Sequence, residues 1–367
     1  MSNFSVTREI IESVRPADNS DNLDLVHLES KDYQFITERG LYEAGDVVIY
    51  FPVDSLLPMW IVDALELEGK LAHGTLPEGD EERLRNRVKT IKLRGNLSQG
   101  VVCTADDLMQ ANPLLLKSIF KSDDLAAELG VTKYEPPVVP SHTANYVALP
   151  EEIEVYDIEG AQNHPTVVAM LMEVPVYITE KIEGSNWWAS IDNLGIITVG
   201  QRNHAISPIE GYEHDWWKAF RTGDFEKALR AMAQELSNVT GEPSLKRLTL
   251  RGEIIGPGIH KNYYKLKDYQ VLLFDIERNG KSLKPSQFVG LTTEHDLEAV
   301  PALAYNVSLQ SWLKGRSVVE ASNGRSELID RKREGIVIKP MQEQWHEALG
   351  RLFVKQRSPE YLAKSDF

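Results

Sequence analysis

A proline-rich stretch near the middle of the chain constrains its fold more than any other sequence feature. Residues 134–140 (YEPPVVP) cannot form a helix, because each proline lacks a backbone N–H donor and restricts the residue before it. The chain has 367 residues, which is long for one domain and comfortable for two at roughly 150 residues per domain. We therefore predict a linker here, with a domain boundary near it.

The residues before this stretch favour short β-strands. Apolar and polar residues alternate in five short runs that are separated by turn signals. Several short strands with little helix predict a small closed barrel, and the OB-fold is the commonest such barrel near nucleic acids; another small β-barrel or an SH3-like module is the alternative. The strand candidates are residues 24–29, 33–37, 46–51, 89–93 and 100–103.

The rest of the chain alternates strands with helices. Residues 112–129 favour a helix, and a better-marked helix follows Asp224, where apolar residues recur at helical spacing and Gly241 stands beyond the end. We predict a barrel domain over residues 1–110, a helical segment and linker over residues 111–145, and a second domain over residues 146–367.

The composition places the chain among soluble globular proteins. Hydrophobic residues make up 42% and charged residues 26% of it, and no stretch approaches the ~18 to 20 apolar residues of a membrane helix. Residues 1–12 lack the basic and apolar regions of a secretory signal. Cys103 is the only cysteine, which excludes an internal disulfide and a cysteine-cluster zinc site. We expect an intracellular, cytoplasmic protein without a membrane partner.

The net charge of −15 excludes a simple electropositive nucleic-acid binder, so any polyanion must meet a local patch. Residues 83–94 (RLRNRVKTIKLR) contain six cations and no acid, which favours phosphate binding. The alternative is a solvated charge run paired with the acids at residues 80–82. The candidate contacts are Arg87, Lys89, Lys92 and Arg94.

A strand that ends in a lysine is the first candidate catalytic feature. Residues 176–186 (VYITEKIEGSN) place Lys181 at the strand end and Gly184 three residues later, whereas no phosphate-binding GxxxxGK[ST] or GxGxxG occurs. Partial burial or a nearby cation lowers the pKa of a lysine amine and makes it a nucleophile. Glu183 faces the same side if the strand continues, and it favours the ammonium unless a divalent metal takes the carboxylate. The pattern indicates a metal-assisted lysine; a solvated surface pair is the alternative.

Five later segments repeat the combination of an apolar strand with a charged or aromatic residue. Each one alone is weak, since charges at strand ends are usually solvated, but together they form an ordered set. They are residues 199–203 with Arg202, 248–256 with Glu253, 271–276 with Phe274 and Asp275, 333–339 with Glu334 and Lys339, and 352–357 with Lys355 and Arg357.

In their order and in their residue patterns these segments resemble the motifs of the covalent nucleotidyltransferase superfamily of ATP-dependent ligases and mRNA-capping enzymes. Residues 180–186 are similar to the nucleophile motif in its RNA-ligase form, and the resemblance spans roughly residues 174–361. Residues 16–19, 45–52 and 91–100 are similar to the N-terminal OB module of one RNA-ligase class. The resemblance implies an α+β protein, in which an OB-fold β-barrel precedes an ATP-grasp-like adenylyltransferase domain with antiparallel sheets and flanking helices.

The resemblance also implies an activity. The expected enzyme is an ATP-dependent RNA ligase of RNA repair that seals 3′-OH and 5′-phosphate ends through lysyl-AMP and RNA-adenylate intermediates, with Mg²⁺ or Mn²⁺ and without an obligate protein partner. The order of motifs in the family implies that Lys181 is the nucleophile and that Glu183 and Glu334 are the metal ligands. The implied nucleotide contacts are Glu180 at the adenine edge, Phe274 stacked on adenine, Glu253 at the ribose, Arg202 at the ribose or the RNA 3′ end, Asn186 at the phosphates, Lys339 and Lys355 at the α-phosphate, and Arg357 in the last motif.

Two positions depart from the family pattern, and other functions stay open. Glu183 stands where many members have aspartate, and Arg357 stands where a lysine is usual. A DNA ligase or capping enzyme typically has its OB domain after the last motif, and only ten residues follow Arg357. A non-catalytic nucleic-acid-binding module is the remaining alternative.

Overall fold

The computed structural model describes residues 4–74, 85–114, 122–134, 145–210, 213–237, 243–346 and 349–363. Within these limits the chain divides into two compact units. The first unit comprises residues 2–139, 160–166 and 359–367, and the second comprises residues 140–159 and 167–358. Most of the proline-rich stretch, residues 135–140, lies outside the described residues, as does Gly241. No helix in the described ranges is long and apolar enough to cross a membrane.

The first unit is built mainly from antiparallel strands. Its largest sheet has five strands in the order β10-β4-β1-β2-β3, and a four-stranded sheet β11-β5-β7-β6 and the hairpin β8-β9 complete it. The elements are β1 (Thr7–Pro16), β2 (Leu23–Leu28), β3 (Gln34–Glu38), β4 (Val47–Phe51), β5 (Ser55–Leu56), β6 (Ala72–His73), β7 (Arg85–Arg87), β8 (Thr90–Leu93), β9 (Asn96–Gln99), β10 (Val101–Cys103), β11 (Thr132–Lys133), α1 (Met59–Ala64), α2 (Ala105–Ala111) and α3 (Ala126–Leu129).

Local sequence explains much of this unit. The five predicted strands correspond to β2, β3, β4, β8 and β10, and the nearly closed antiparallel sheet has the OB-like form that the alternation predicts. The β8-β9 hairpin turns at Arg94 and Gly95, both at positive φ (47° and 93°), as a tight hairpin turn requires. Helix α2 begins at a capping box, in which the side chains of Thr104 and Asp107 each accept a hydrogen bond from the other residue's backbone N–H.

In the described part of the chain, the helix predicted over residues 112–129 is confirmed only at its end, as α3. Helix α2 ends at Ala111, and α3 begins only at Ala126. Asn112 has non-helical backbone angles (φ −139°, ψ 87°) because it precedes Pro113, whose ring disfavours the helical conformation of its neighbour. Residues 115–121 lie outside the described ranges.

The second unit contains two larger antiparallel sheets. Their strand orders are β12-β17-β16-β15-β18-β19-β20 and β13-β25-β22-β14-β21, and β23 pairs with β24. The strands are β12 (Asn145–Val147), β13 (Glu159–Gly160), β14 (Pro175–Lys181), β15 (Ser185–Asp192), β16 (Ile197–Gln201), β17 (His204–Ser207), β18 (Arg247–Ile255), β19 (Gln270–Arg278), β20 (Lys281–Ser282), β21 (Ala302–Ser308), β22 (Gly335–Pro340), β23 (Trp345–His346), β24 (Gly350–Arg351) and β25 (Val354–Arg357).

The helices that follow Gly160 belong mostly to this unit. Helix α6 confirms the helix predicted after Asp224, because Leu229, Met232 and Leu236 lie on its buried face and pack in the core beneath β15 and β18. The helices are α4 (Pro165–Met172), α5 (Asp215–Thr222), α6 (Phe225–Ser237), α7 (Pro285–Glu294), α8 (Leu309–Leu313), α9 (Val318–Ser322) and α10 (Pro359–Leu362), of which α10 lies in the first unit.

Strand register brings the distant charged residues of the second unit together. Lys181 at the end of β14 pairs with Gly335 of β22, and Gly335 in turn pairs with Arg357 of β25. A Cβ at Gly335 would lie 2.1 Å from the Gln356 carbonyl oxygen, so only glycine permits this approach of the strands. Gly184 has a similar role, since a Cβ there would lie 2.6 Å from the carbonyl oxygen of Ile254.

Candidate active site

A pocket of about 260 Å³ lies in the second unit among the motif residues. Its wall includes one to three residues from each of β14, β15, β18, β19, β22 and β25, which explains why residues far apart in sequence meet there. Apolar side chains such as Ile182, Val300 and Val337 form part of the lining, as is usual for small-molecule sites. Eight of the predicted site residues line it: Glu180, Lys181, Asn186, Arg202, Glu253, Phe274, Lys339 and Lys355.

Lys181 is held by an ion pair at the pocket wall. Its Nζ lies 2.7 Å from Oε2 of Glu334, and the lysine side chain is 24% exposed. Burial by itself lowers the pKa of Lys181, but the carboxylates of Glu334 and Glu253 outweigh it and raise the pKa above its usual value. The partner of Lys181 is a carboxylate 153 residues away, and a lowered pKa of this lysine beside a bound metal ion stays a prediction.

Two more carboxylates lie near this lysine. Burial raises the pKa of Glu253 to about 7, although the charge of Lys181 opposes the shift. Glu183 does not continue the strand beside Lys181, since β14 ends at Lys181 and the chain bends there. Instead Oε1 of Glu183 lies 2.6 Å from Nδ1 of His260, and its backbone N–H donates to the hydroxyl of Tyr264 at 2.9 Å.

The predicted metal ligands lie beside the pocket rather than on its lining. Arg357 is a second partner of Glu334, with its Nε 3.5 Å from Oε1 of that carboxylate. In the described part of the chain, no group of three or more His, Cys, Asp or Glu residues is arranged to hold a metal ion. A metal on Glu183 and Glu334 would thus need water or substrate oxygens as its other ligands, and this role stays a prediction.

Two buried oxygens in the pocket wall lack hydrogen-bond donors among the described residues. They are Oε1 of Glu180 and Oδ1 of Asn186. The other carboxylate oxygen of Glu180 accepts the backbone N–H of Glu327 at 2.8 Å, which fixes the side chain. A buried polar atom without a partner costs about 1 to 3 kcal/mol, so these acceptors indicate where a bound molecule would donate hydrogen bonds.

Asp157 links two of the predicted cations and was not found from the sequence. Its Oδ2 lies 2.8 Å from Nη2 of Arg202, and its Oδ1 lies 3.7 Å from Nζ of Lys355. Burial lowers the pKa of Lys355 to about 8, although Asp157 opposes the shift. Asp157 stands in no strand, helix or motif, so no periodic signal marks it.

Lys339 belongs to a buried network centred on Asp275. Oδ2 of Asp275 lies 3.2 Å from Nζ of Lys339 and 2.6 Å from Nη1 of Arg351, and it accepts the hydroxyl of Tyr156 at 2.6 Å. Burial raises the pKa of Asp275, but the two cations outweigh it and hold that pKa well below its usual range. Glu343 pairs with the other side of the Arg351 guanidinium at 2.7 Å.

This network also fixes the aromatic side of the pocket. Nζ of Lys339 donates to the carbonyl of Phe274 at 2.7 Å, and the rings of Phe274 and Tyr156 are 5.0 Å apart. Phe274 lines the pocket and is only half-buried, so its ring is not confined to the core. Burial lowers the pKa of Lys339, although Asp275 opposes the shift.

Comparison with known proteins defines the family. The RNA ligase family model matches residues 174–356, and an OB-fold domain model matches residues 5–105. The chain belongs to the RNA ligase family. Solved structures of a Naegleria gruberi RNA ligase share this RNA ligase's fold over nearly the whole length of both chains, whereas no curated relative matches its sequence.

Three of those solved structures illustrate the likeness. The Naegleria gruberi RNA ligase with PPi is 24% identical, with a TM-score of 0.74 over 99% of this chain and 98% of that chain. A lysine-to-methionine mutant of that ligase with AMP and Mn is also 24% identical, with a TM-score of 0.76 over 99% of both chains. A lysine-to-alanine mutant with ATP and Mn is 24% identical, with a TM-score of 0.75 over 98% of both chains. At this identity the likeness shows the fold of this RNA ligase.

The predicted phosphate patch of this RNA ligase lies in the first unit. Lys89, Lys92 and Arg94 are exposed on and beside the β8-β9 hairpin. Arg87 is a correction: it is only 6% exposed, because its guanidinium packs 4.1 Å from the centre of the Tyr134 ring. Residues 83 and 84 lie outside the described part of the chain.

Proposed function

We propose that this RNA ligase uses ATP to join RNA 3′-OH and 5′-phosphate ends through an adenylate on Lys181. The observation that carries the proposal is the placement of the Lys181 amine at the wall of a pocket that also contains Lys339, Lys355 and Arg202. These cations suit the phosphates of a nucleotide, and a primary amine in their midst suits attack on phosphorus. The ATP and AMP bound to the Naegleria ligase variants support the choice of nucleotide.

The pocket residues fit an adenine nucleotide. The unpartnered Oε1 of Glu180 is an acceptor, which suits an exocyclic amine. The amide N–H groups of Asn186 suit the phosphates, and its unpartnered Oδ1 suits a ribose hydroxyl. Phe274 offers an aromatic face for a base, and Glu253 lies next to Asn186 across the β15-β18 pairing, where it suits the ribose. Lys339 and Lys355 suit the phosphates, Arg202 suits the ribose or the RNA 3′ end, and Arg357 reaches the same region through Glu334.

Glu183 and Glu334 are the residues that would hold Mg²⁺ or Mn²⁺. Both are buried carboxylates beside Lys181, and carboxylate oxygens are the ligands that these ions prefer. When bound, such an ion neutralises charge on the phosphate oxygens. Its presence in the Naegleria structures with AMP or ATP supports this assignment.

Proton transfer from Lys181 must precede its attack, because an ammonium has no free electron pair. Oε2 of Glu334 accepts a hydrogen bond from Nζ at 2.7 Å and is therefore placed to take the proton. Nζ then forms a bond to the α-phosphorus of ATP while the bond to the bridging oxygen breaks and pyrophosphate leaves. The AMP group next moves to the RNA 5′-phosphate, and the 3′-OH displaces AMP as the new phosphodiester forms.

We further propose that the first unit contacts RNA through Lys89, Lys92 and Arg94, which are exposed on a strongly acidic protein. The domain limits that we propose are residues 1–110 for the OB-fold domain, 111–145 for a helical segment and linker, and 146–367 for the nucleotidyltransferase domain. A DNA ligase, a capping-type enzyme and a non-catalytic binding module are the alternatives.

A covalent labelling experiment tests the proposal. The protein is incubated with α-labelled ATP or GTP and manganese, and the adduct is located by mass spectrometry. We expect an acid-labile AMP adduct on Lys181 that is absent from Lys181→Ala and retained in Lys227→Ala, an exposed lysine of α6 in the same unit. Absence of any adduct favours a binding module, and GTP labelling favours capping.

The joining step needs a second assay. Adenylylated protein is mixed with 5′-phosphorylated RNA, nicked duplex RNA and nicked duplex DNA, and the joined product is measured. Sealing of RNA ends with release of AMP is the expected result. Sealing of DNA alone would refute the assignment of RNA as the substrate.

A further inference from the structure

A cluster of exposed cations lies on the catalytic unit itself, apart from the patch of the first unit. Lys261, Lys265 and Lys267 are exposed on the segment between β18 and β19, and Arg331 is exposed on the segment before β22. These four residues are here called the basic loop surface. In a chain of net charge −15, four exposed cations on two adjoining segments form a local exception to the overall charge.

Tyr263 joins the two segments of the basic loop surface. Its hydroxyl donates to the carbonyl of Lys332 at 2.6 Å, and its own carbonyl accepts Nη1 of Arg331 at 3.2 Å. The Arg331 guanidinium also lies 5.1 Å from the centre of the Tyr263 ring. Residues that are about 70 positions apart in sequence thus form one surface, for which no sequence motif exists.

The loop is held in a fixed conformation. The side chain of Asn262 both donates to the carbonyl of Leu266 at 2.8 Å and accepts its N–H at 3.0 Å. Lys261 and Lys265 adopt positive φ (54° and 57°), which turns the backbone sharply at both lysines. A loop fixed in this way loses little conformational entropy when a ligand binds.

The loop that contains the three lysines also contacts Glu183, one of the proposed metal ligands. His260 and Tyr264, which belong to the same loop, contact Glu183 through Nδ1 and through the hydroxyl. Any strand whose end reaches Lys181 and Glu183 therefore has this loop as its immediate neighbour. An RNA backbone that leaves the reactive end on the side of Glu183 would meet this loop.

Among the described residues, the acids beside the surface do not pair with two of its lysines. Asp330 pairs with Arg325 rather than with Arg331, and Lys265 and Lys267 have no carboxylate partner within ion-pair distance in the described part of the chain. Asp268 is the one acid adjacent to the lysines in sequence. Exposed ammonium groups without carboxylate partners are the side chains that release counterions when they meet phosphates.

We infer that the basic loop surface binds the phosphodiester backbone of the substrate RNA next to the end that is joined. The inference rests on the proposed RNA-joining function and adds a binding site to it. It attributes RNA affinity to lysines that are not part of the nucleotide pocket. Because these contacts go to phosphates, they position the strand without selecting a base sequence.

The test measures how RNA affinity depends on salt. Binding of a 5′-phosphorylated single-stranded RNA is followed by fluorescence anisotropy at several NaCl concentrations for the protein and for the double variant Lys265→Gln/Lys267→Gln. Loss of two phosphate contacts should reduce the slope of log Kd against log salt by about 1.4, at roughly 0.7 per contact to a single strand. The matched control is Lys227→Gln/Lys281→Gln, which removes the same charge from exposed positions elsewhere in the unit.

Two outcomes overturn the inference: an unchanged slope in Lys265→Gln/Lys267→Gln, or an equal loss in the control variant, which would mean a general charge effect. A reduced slope in the loop variant alone supports it. Formation of the AMP adduct, which involves no RNA, is measured in the same preparations. If the unmodified protein forms no adduct, the proposed function fails, whereas the salt slopes still decide whether the loop binds RNA.

Discussion

The buried Asp275 network permits a quantitative prediction from Asp275→Asn. Asp275 is 2% exposed and pairs with the charged groups of Lys339 and Arg351, whose side chains are 6% and 14% exposed. Removing one partner of a buried ion pair costs about 3 to 5 kcal/mol, because here the charge of Lys339 stays buried without a carboxylate, whereas Arg351 keeps its pair with Glu343. Asparagine keeps one oxygen acceptor for Arg351 or Tyr156. We therefore expect the free energy of unfolding to fall by about 3 kcal/mol, the lower end of that range.

The pH dependence of this loss follows from the pKa of Asp275. That pKa lies well below its usual range in the folded protein, because Arg351 and Lys339 favour the carboxylate. A lowered carboxyl pKa contributes stability that is fully present above the unfolded-state pKa of about 4 and is lost as the pH falls toward the folded-state value. The cost of Asp275→Asn should therefore be constant between about pH 6 and 9 and should shrink only in acid.

Urea unfolding followed by tryptophan fluorescence measures the effect. Six of the seven tryptophans lie in the second unit, so the signal reports mainly on the unit that contains Asp275. The matched control is Asp268→Asn, an exposed aspartate seven residues away, which should change stability by less than about 0.5 kcal/mol. A cost for Asp275→Asn below about 1 kcal/mol would refute the view that this carboxylate compensates two buried cations.

Two further predictions concern the cations of the site and of the first unit. Because burial lowers the pKa of Lys355 to about 8, its charge is present below that pH and is lost above it. The KM for ATP should therefore rise between about pH 8 and 9.5, and Lys355→Arg should remove most of this rise, since arginine stays charged; an identical pH profile in the variant would contradict the role. Charge reversal in Lys92→Glu/Arg94→Glu should weaken RNA binding and flatten its salt dependence while the AMP adduct still forms. Unchanged RNA affinity would remove the first-unit patch from the RNA-binding surface.

Much of the fold follows from local sequence. Alternation of apolar and polar residues together with turn signals predicts β2, β3, β4, β8 and β10, although β4 is buried on both faces. Helical spacing predicts α6 because that helix has one buried face. A neighbouring residue can override such a pattern. Pro113 disfavours the helical conformation of Asn112, so the helix predicted from residue 112 onward does not form there.

The order of charged residues along the chain also indicates the family and most members of the site. Lys181, Glu253, Phe274 and Lys339 each stand at a marked place in or at the end of a strand, and the pocket includes all four. Their sequence neighbourhoods specify the residue types that nucleotide chemistry needs, which is why the motifs are visible without a structure.

The sequence alone determined the residue types, their order and the strands that contain them. Tertiary structure alone decided their partners: Glu334 for Lys181, Asp157 for Arg202 and Lys355, and Tyr263 for Arg331. The reason is that strand pairing across long separations sets each distance, and the protonation of a buried group is a balance between desolvation and the charges that this pairing brings near it.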